Sequence, residues 1–140
     1  MRKSIELARL RDEEAQLFRE PNVAQLSTLL PDGSPHVSPV WVDIDDDEGL
    51  ILVNTVRGRV KERNVNMDPR VGISVARSEN PYEMVSATGR VVAASKEGAE
   101  EHIDKLSKKY LGRERYPYRQ PGERRVILKI RPERVSSAQV

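Results

Sequence analysis

Short stretches in which apolar and polar residues alternate, each followed by a tight-turn sequence, constrain the fold of this chain more than any other feature. Residues 23–30 alternate in this way, and the PDG at 31–33 that follows has the composition of a turn. Residues 36–45 alternate again, and the DDEG at 46–49 predicts a second turn before the apolar run 50–53. The pattern therefore predicts three β-strands joined by two hairpin turns.

Further strands are predicted beyond these hairpins, with one short helix between them. Pro39 has no N–H to donate to a neighbouring strand, so its strand is expected at a sheet edge or at a bulge. Residues 59–67 have helical spacing, after which 71–75 and 84–94 return to strand character. Gly89, inside the last of these strands, indicates a bulge or the close approach of another backbone segment.

Helical and strand patterns also mark the two ends of the chain. The segment 1–20 is predicted to form an N-terminal helix because its apolar residues recur at loosely helical spacing. Ser95 is expected to cap a further helix over 95–110, whose apolar residues form one stripe. Alternation resumes over 124–139 and predicts the final strands, with a separate short strand after Pro132.

These elements predict a mainly β protein of six or seven strands with a few helices, the barrel strands lying over residues 23–94. Tight turns join antiparallel neighbours, whereas parallel strands need a long crossover, so an antiparallel β-barrel is favoured over a parallel sheet. A chain of 140 residues has the length of one domain, and we expect a single domain over 1–140. With one Trp, one Phe and four Tyr, its core is expected to be mostly aliphatic.

Several kinds of site are excluded by what the sequence lacks. It has no cysteine and only two histidines, His36 and His102, so neither disulfides nor a zinc or iron site is expected. His102 is predicted to be exposed to solvent on its helix, and the acidic run 43–48 is interpreted as a charged turn. No segment has the apolar character of a signal peptide or a membrane span, so we expect a cytoplasmic protein.

Positive charge is concentrated in two segments although the net charge is only +2. In the first, NTVRGRVKERN at 54–64, Thr55 follows a strand while Arg59 and Lys61 begin a helix. Hydroxyl, guanidinium and ammonium groups near a helix N-terminus suit a phosphate group. A solvated basic helix is the alternative that these residues leave open. The second basic segment is 108–125.

Three segments in a fixed order carry a resemblance to a known family: LSTLLPDGSPHVSPVWVDID, then LILVNTVRGRVKERNVNMDPRVGISV, then NPYEMVSATGRV. They resemble the pyridoxamine 5′-phosphate oxidase-like split-barrel superfamily, and most closely its branch that uses the deazaflavin coenzyme F420. The resemblance covers residues 15–135 and is most specific over 53–75. It implies an antiparallel split β-barrel that forms a homodimer with two cofactor sites at the subunit interface.

The same resemblance assigns residues to the cofactor site. It implies that the cofactor phosphate is contacted by Thr55, Arg59 and Lys61, with Arg57 as a weaker candidate. The backbone at four residues is expected beside the cofactor ring, namely Ser38, Pro39, Val40 and Trp41. His36 is expected near this site, with a structural role as the alternative. Four arginines of the second basic segment are candidates for contacting the anionic tail of the deazaflavin from the neighbouring subunit: Arg113, Arg115, Arg119 and Arg124.

By this resemblance the protein is an oxidoreductase that transfers hydride from reduced coenzyme F420 to an unsaturated small-molecule substrate. The sequence selects no catalytic side chain, which fits chemistry supplied by a cofactor. The chain ends in RVSSAQV, without the Arg-Leu-x-Pro type of ending found in true pyridoxamine-phosphate oxidases, so that reaction is not implied. The alternatives are an FMN-dependent flavoprotein and a non-catalytic binder of a cofactor or tetrapyrrole. A nucleic-acid module is disfavoured by the balanced charge and few aromatic residues.

Overall fold

The computed structural model of the protein describes residues 2–3 and 9–138, which form one antiparallel sheet and three helices. The helices are α1 (Asp12–Arg19), α2 (Val60–Met67) and α3 (Ala99–Leu111). The strands are β1 (Arg2–Lys3), β2 (Ala24–Leu29), β3 (Pro35–Val40), β4 (Asp43–Asp45), β5 (Leu50–Val56), β6 (Arg70–Ala76), β7 (Met84–Ser95) and β8 (Arg125–Ala138).

The two edge strands of the sheet, β3 and β4, follow each other in the chain, so the curved sheet brings its ends together without pairing them. The strand order is β3-β2-β6-β7-β8-β5-β4, with β1 paired to β8, and every pairing is antiparallel. Only Trp41 and Val42 separate the last residue of β3 from the first residue of β4. The prediction of a mainly β, antiparallel barrel with a few helices is therefore confirmed, as is the edge position of the strand that contains Pro39.

The stretch 36–45, predicted as one strand, is instead divided at Trp41 and Val42. Side chains of α3 satisfy the backbone at this break: the Val42 N–H donates to the Tyr110 hydroxyl (3.0 Å), and the Lys109 ammonium donates to the Val42 carbonyl (2.5 Å). The Lys109 ammonium also reaches the carbonyl of Phe18, at 2.6 Å. A polar backbone group leaving a sheet must find another partner, and here the helix provides it. This contact lets the chain turn from one end of the sheet to the other.

The core lies inside the curved sheet and beneath α1. It is built from buried aliphatic side chains such as Leu26, Ile51 and Leu128, and Phe18 is its sole aromatic residue within the part of the chain that the structure describes. Burial of this apolar surface is the main stabilising contribution to such a fold. None of the described helices is long and apolar enough to cross a membrane.

Gly89 lies where the paired strands β7 and β8 approach each other closely. The pairing register shifts between Thr88 and Gly89, so the expected bulge is confirmed. A Cβ atom placed on Gly89 would lie 2.0 Å from the backbone oxygen of Arg131, so the expected close approach is confirmed as well. Any side chain at this position would therefore push the two longest strands apart.

Three predicted elements differ from the structure at their boundaries. The predicted N-terminal helix starts only at Asp12, where three acidic residues favour a helix N-terminus; Arg2–Lys3 pairs with β8, and residues 4–8 lie outside the described part. Ser95 does not cap α3, because it still pairs with Ile127 in the sheet and the helix begins after Gly98. Pro132 starts no new strand, since β8 runs through it opposite the bulge at Gly89.

Candidate functional site

A groove of about 400 Å³ lies at the corner between β3 and β4 and is bounded by β5, the start of α2, α3 and the loop before β8. Its volume is in the range of sites that take small molecules and cofactors. Six of the eight residues predicted to contact a cofactor line it: Pro39, Val40, Trp41, Thr55, Arg59 and Lys61. The fold thus brings together residues from two segments that are far apart in the sequence.

One end of this groove holds polar groups without partners. The Thr55 hydroxyl is buried and forms no hydrogen bond with any described residue. The Lys61 side chain is half-buried and forms no ion pair within residues 9–138. Burial, together with the nearby charge of Arg59, lowers the pKa of Lys61. A buried hydroxyl and a desolvated ammonium are costly to leave unpaired, so this end is suited to an anionic ligand.

Arg59 and the start of α2 are less available to an anion than the sequence indicated. The Arg59 guanidinium lies 3.2 Å from the Glu123 carboxylate, and 51% of its side chain is exposed. The N–H of Gly58 donates to the side chain of Glu62, at 2.8 Å, so a carboxylate already occupies the N-terminus of the helix. Thr55 and Lys61 are therefore the stronger candidates of this segment for contacting an anion.

The opposite wall of the groove is aromatic and apolar. Trp41 stacks on Tyr110, with ring centroids 5.1 Å apart and an interplanar angle of 4°. Tyr116 meets Trp41 edge-on at 6.0 Å, and Tyr118 meets Tyr116 edge-on at 5.7 Å. The strand break at Trp41 and Val42 turns the indole toward the groove. Flat aromatic surfaces of this kind pack well against a planar ring.

Two groove residues that the sequence did not single out are Asn54 and Arg125. The Arg125 guanidinium donates to the Asn54 side-chain oxygen (3.1 Å) and lies 4.8 Å from the centre of the Tyr116 ring. Arg125 is 5% exposed, and its Nη2 atom has no hydrogen-bond partner among the described residues, although a carboxylate oxygen of Glu123 lies 3.5 Å away. Arg125 is hard to recognise in the sequence because it ends a segment rich in arginine.

The other predicted contacts lie outside the groove lining. Arg57 is exposed and does not line the groove, while Ser38 lies on β3 opposite Leu26. The Ser38 hydroxyl and His36 Nδ1 are both buried without a hydrogen-bond partner within the described residues. Of the four distal arginines, Arg119 is bonded to acidic side chains of α3, and three are exposed at the surface: Arg113, Arg115 and Arg124.

His102 is not the exposed histidine that the sequence predicted. It is 8% exposed, and its Nε2 and Nδ1 atoms lie 3.2 Å from Asp43 Oδ2 and Asn54 Nδ2. Asp43, expected to belong to a charged turn, is equally buried at 7%. Burial alone would raise the pKa of Asp43, but hydrogen bonds from His102, the Ile44 N–H and Lys105 hold that pKa well below its usual range. Glu101 and Asp104, which flank His102 on α3, misled the prediction, because the His102 ring faces Asp43 and Asn54 on neighbouring strands.

Three larger grooves lie elsewhere in the described part of the chain, and the two largest lack the features of the first; the third, of about 470 Å³, is lined by residues of β2, β6, β7 and β8 and has no aromatic side chain in its lining. The largest, of about 670 Å³, lies between α1 and the ends of β7 and β8, where basic and acidic side chains are mixed. The second, of about 630 Å³, runs across the outer face of the sheet and is lined mainly by small residues such as Ser27, Ser74 and Ser86. Neither combines unpartnered buried polar groups with an aromatic wall, so the smaller groove is the better candidate for a cofactor site.

Several known proteins resemble this chain in sequence or in fold. A protein of Mycobacterium tuberculosis (strain CDC 1551 / Oshkosh) named F420H(2)-dependent biliverdin reductase is 32% identical over 127 residues, covering 91% of this chain and 87% of that protein. A solved structure titled F420 reductase matches with a TM-score of 0.77 and 26% identity, covering 91% of this chain and 98% of the other.

A conserved hypothetical protein from Mycobacterium tuberculosis has the same fold, with a TM-score of 0.70 and 21% identity over 99% of this chain and 90% of its own. The family model described as pyridoxamine 5′-phosphate oxidase matches residues 10–139, which is almost the whole chain. This protein therefore belongs to the pyridoxamine 5′-phosphate oxidase family.

Proposed function

We propose that this protein is an oxidoreductase that binds coenzyme F420 in the groove of Trp41 and Lys61, and reduces an unsaturated small molecule. The observation that carries the proposal is the pairing of two features in one groove: an aromatic wall, and an end with buried polar groups that lack partners. The first suits a planar ring and the second suits a phosphate, and a deazaflavin has both.

Each part of the groove then has a role toward the cofactor. Thr55 and Lys61 donate hydrogen bonds to its phosphate, and Arg125 adds a second positive charge to the groove lining. Pro39, Val40 and Trp41 pack against its ring and exclude water from that face. When bound and reduced, the deazaflavin supplies the hydride, so the protein itself needs to bind, orient and desolvate the reactants.

The names of two relatives favour the deazaflavin over FMN. Both the protein at 32% identity and the structure at 26% identity carry F420 in their names, and each match spans 91% of this chain. FMN is the alternative within the same family, because it offers a similar ring and a terminal phosphate. The longer anionic tail of F420 would pass the exposed arginines of the loop before β8, namely Arg113, Arg115 and Arg124.

Equilibrium titrations of the purified protein with coenzyme F420 and with FMN, at the same salt concentration, test the proposal directly. We expect cofactor fluorescence to report saturable binding of F420 that is tighter than that of FMN. Tighter binding of FMN would move the protein to the flavin-dependent alternative. Binding of neither cofactor would remove the proposed function.

Turnover separates an enzyme from a protein that only carries its cofactor. Biliverdin is the first acceptor to assay, because the relative at 32% identity is named for it. Oxidation of reduced F420 by biliverdin, or by another conjugated acceptor, followed by absorbance, would support the reductase. Stoichiometric binding of F420 without turnover of any acceptor would favour the non-catalytic binder.

We also propose that the protein forms a homodimer through the outer face of the sheet, with the cofactor groove at the edge of the interface. This face is lined by small side chains and by Val37, which is 60% exposed. Val37 and Pro39 lie two residues apart on β3, so their side chains are on one side of the strand. The face is therefore continuous with the groove, and a second copy of the chain seated on it would cover both.

Sedimentation equilibrium tests the dimer with two matched substitutions on β7. Ser86→Arg places a bulky charge in the middle of the face, whereas Ala93→Arg places the same charge at an exposed position of β7 outside it. We expect the wild type and Ala93→Arg to sediment as dimers, and Ser86→Arg as a monomer with weaker cofactor binding. A monomeric wild type, or a dimeric Ser86→Arg, would contradict this arrangement.

A further inference from the structure

A chain of buried and partly buried hydrogen bonds joins four different elements, from β4 to the groove. Asp43 Oδ2 lies 3.2 Å from His102 Nε2, and His102 Nδ1 lies 3.2 Å from Asn54 Nδ2. The Asn54 side-chain oxygen accepts from Arg125 Nη1 at 3.1 Å. Asn54 and Arg125 line the groove, whereas Asp43 and His102 lie behind it. Asp43 and His102 therefore do not contact a ligand in the groove, but the hydrogen bonds connect them to Asn54 and Arg125, which line it.

The direction of these hydrogen bonds is fixed by their chemistry. The carboxylate of Asp43 can only accept, so His102 carries a hydrogen on Nε2; the Asn54 amide nitrogen that faces Nδ1 can only donate, so Nδ1 presents a lone pair. That lone pair accepts from the Asn54 amide nitrogen, which also donates to the Ala99 carbonyl at 2.8 Å. The amide oxygen must then face Arg125. Reversing the amide would set its oxygen against the Ala99 carbonyl and its N–H groups against the guanidinium.

The guanidinium at the end of this chain is held in place but not fully used. Arg125 is bonded to Asn54 through Nη1 and lies against the Tyr116 ring, while Nη2 has no hydrogen-bond partner among the described residues and lies 3.5 Å from a carboxylate oxygen of Glu123. Thr55 pairs with Val126 and Val56 pairs with Arg125 across β5 and β8, so the side chains of Arg125 and Thr55 project from opposite faces of these strands, although both residues line the groove. A guanidinium held rigidly in the groove lining is suited to an anionic group.

We propose that Asp43 and His102 are positioning residues of the cofactor groove: they orient the Asn54 amide, which fixes the Arg125 guanidinium for binding the anionic part of the cofactor. This inference rests on the proposed function, because it assigns Arg125 to the same ligand. A buried Asp–His pair that points at an amide rather than at a ligand acts only through that amide. Its contribution is to hold one donor in the geometry of the bound state before binding.

A double-mutant cycle with F420 as the ligand tests this coupling. His102→Phe keeps the size of the ring but removes both of its hydrogen bonds, and we expect F420 to bind about tenfold more weakly. In an Arg125→Met background the same change is expected to alter affinity by less than about twofold, because the residue through which His102 acts is gone. Lys105→Ala is the matched control, since Lys105 also contacts Asp43 but is 70% exposed and does not line the groove.

Two results would overturn the inference. One is wild-type affinity in His102→Phe, and the other is a tenfold loss that persists unchanged in the Arg125→Met background, which would mean that His102 affects binding by another route. If His102→Phe does not fold, Asn54→Ala serves in its place, because it cuts the chain next to Arg125 and leaves the His102–Asp43 pair intact. The same two criteria then apply to that variant.

Nitrogen-15 NMR of the protein without cofactor gives a readout that is independent of binding. We expect His102 to be protonated at Nε2 and not at Nδ1, and the Arg125 side-chain N–H groups to exchange slowly in the wild type but rapidly in His102→Phe or Asn54→Ala. A hydrogen at Nδ1, or unchanged Arg125 exchange, would refute the positioning role. Failure of the wild type to bind F420 or FMN would instead refute the proposed function, so the two failures are distinguishable.

Discussion

Replacing Lys61 by methionine is expected to weaken F420 binding far more than the same change at Arg59. Lys61 is desolvated, has a lowered pKa and lacks an ion pair within residues 9–138, so the phosphate would be its first full partner. A hydrogen bond to a charged group of this kind contributes about 2 kcal/mol, or about 30-fold in affinity. Arg59 is half exposed and already paired with Glu123, so its loss should cost about 0.5 kcal/mol, or about twofold.

The pH dependence of binding follows from the same desolvation. Because the pKa of Lys61 is lowered in the free protein, F420 affinity is expected to fall as the pH rises through that lowered pKa, where the neutral amine no longer attracts the phosphate. Binding should then be accompanied by uptake of a proton. Lys61→Met is expected to remove this dependence as well as the affinity.

Fluorescence titrations of the variants between neutral and alkaline pH measure both effects. Lys96→Met is the matched control, because Lys96 is an exposed lysine that does not line the groove. Urea unfolding of the variants is expected to show that Lys61→Met is at least as stable as the wild type, since it removes a desolvated charge. Equal affinities for Lys61→Met and Lys96→Met would refute the reasoning, as would a pH dependence that survives in Lys61→Met.

Three further substitutions test other parts of the structure. Thr55→Val removes the unpartnered hydroxyl without changing the size of the side chain, so F420 affinity should fall about fivefold with little change in urea unfolding. Unchanged affinity together with a loss of stability in urea would show that the hydroxyl stabilises the fold instead. Gly89→Ala should lower the unfolding free energy by about 3 kcal/mol, because its Cβ would meet the Arg131 backbone. Gly72→Ala is the control and should change that free energy by less than about 1 kcal/mol, because its Cβ has ordinary contacts. Equal losses of stability in thermal unfolding of the two variants would contradict this expectation. Asp43→Asn should cost about 2 kcal/mol at pH 7 and less at pH 3. A carboxylate with a lowered folded-state pKa gives its full stabilisation above its unfolded pKa of about 4, and this contribution declines below that pH and is lost as the pH falls through the folded-state pKa. Equal losses in urea at pH 7 and pH 3 would refute this reasoning.

The groove could be predicted only in part. Thr55 and Lys61 are recognisable because a hydroxyl and a basic residue follow a strand and begin a helix within seven positions. Asn54, His102 and Arg125 are not, because their roles depend on contacts between residues 48 and 71 positions apart in the chain. Alternation and helical spacing report which side of one element is apolar, but they carry no information on which polar groups from different elements meet.

The sequence by itself determined most of the strands and helices and their antiparallel pairing, because both depend on local properties. Turn residues at 31–33 and 46–49 need particular backbone angles, and alternation with period two selects one face of each strand. The family also follows from the order of short segments in the sequence. These signals extend over only a few residues, so they can be recognised in the sequence without knowledge of the fold.

Only the tertiary structure decided how the sheet closes and what the closure places in the groove. The strand predicted at 36–45 is divided because Lys109 and Tyr110, far along the chain, satisfy the backbone of Val42. That division turns Trp41 toward Lys61 and buries Asp43 against His102. Hydrogen bonds and burial of this kind exist only once distant elements have packed, which is why no local pattern in the sequence could reveal them.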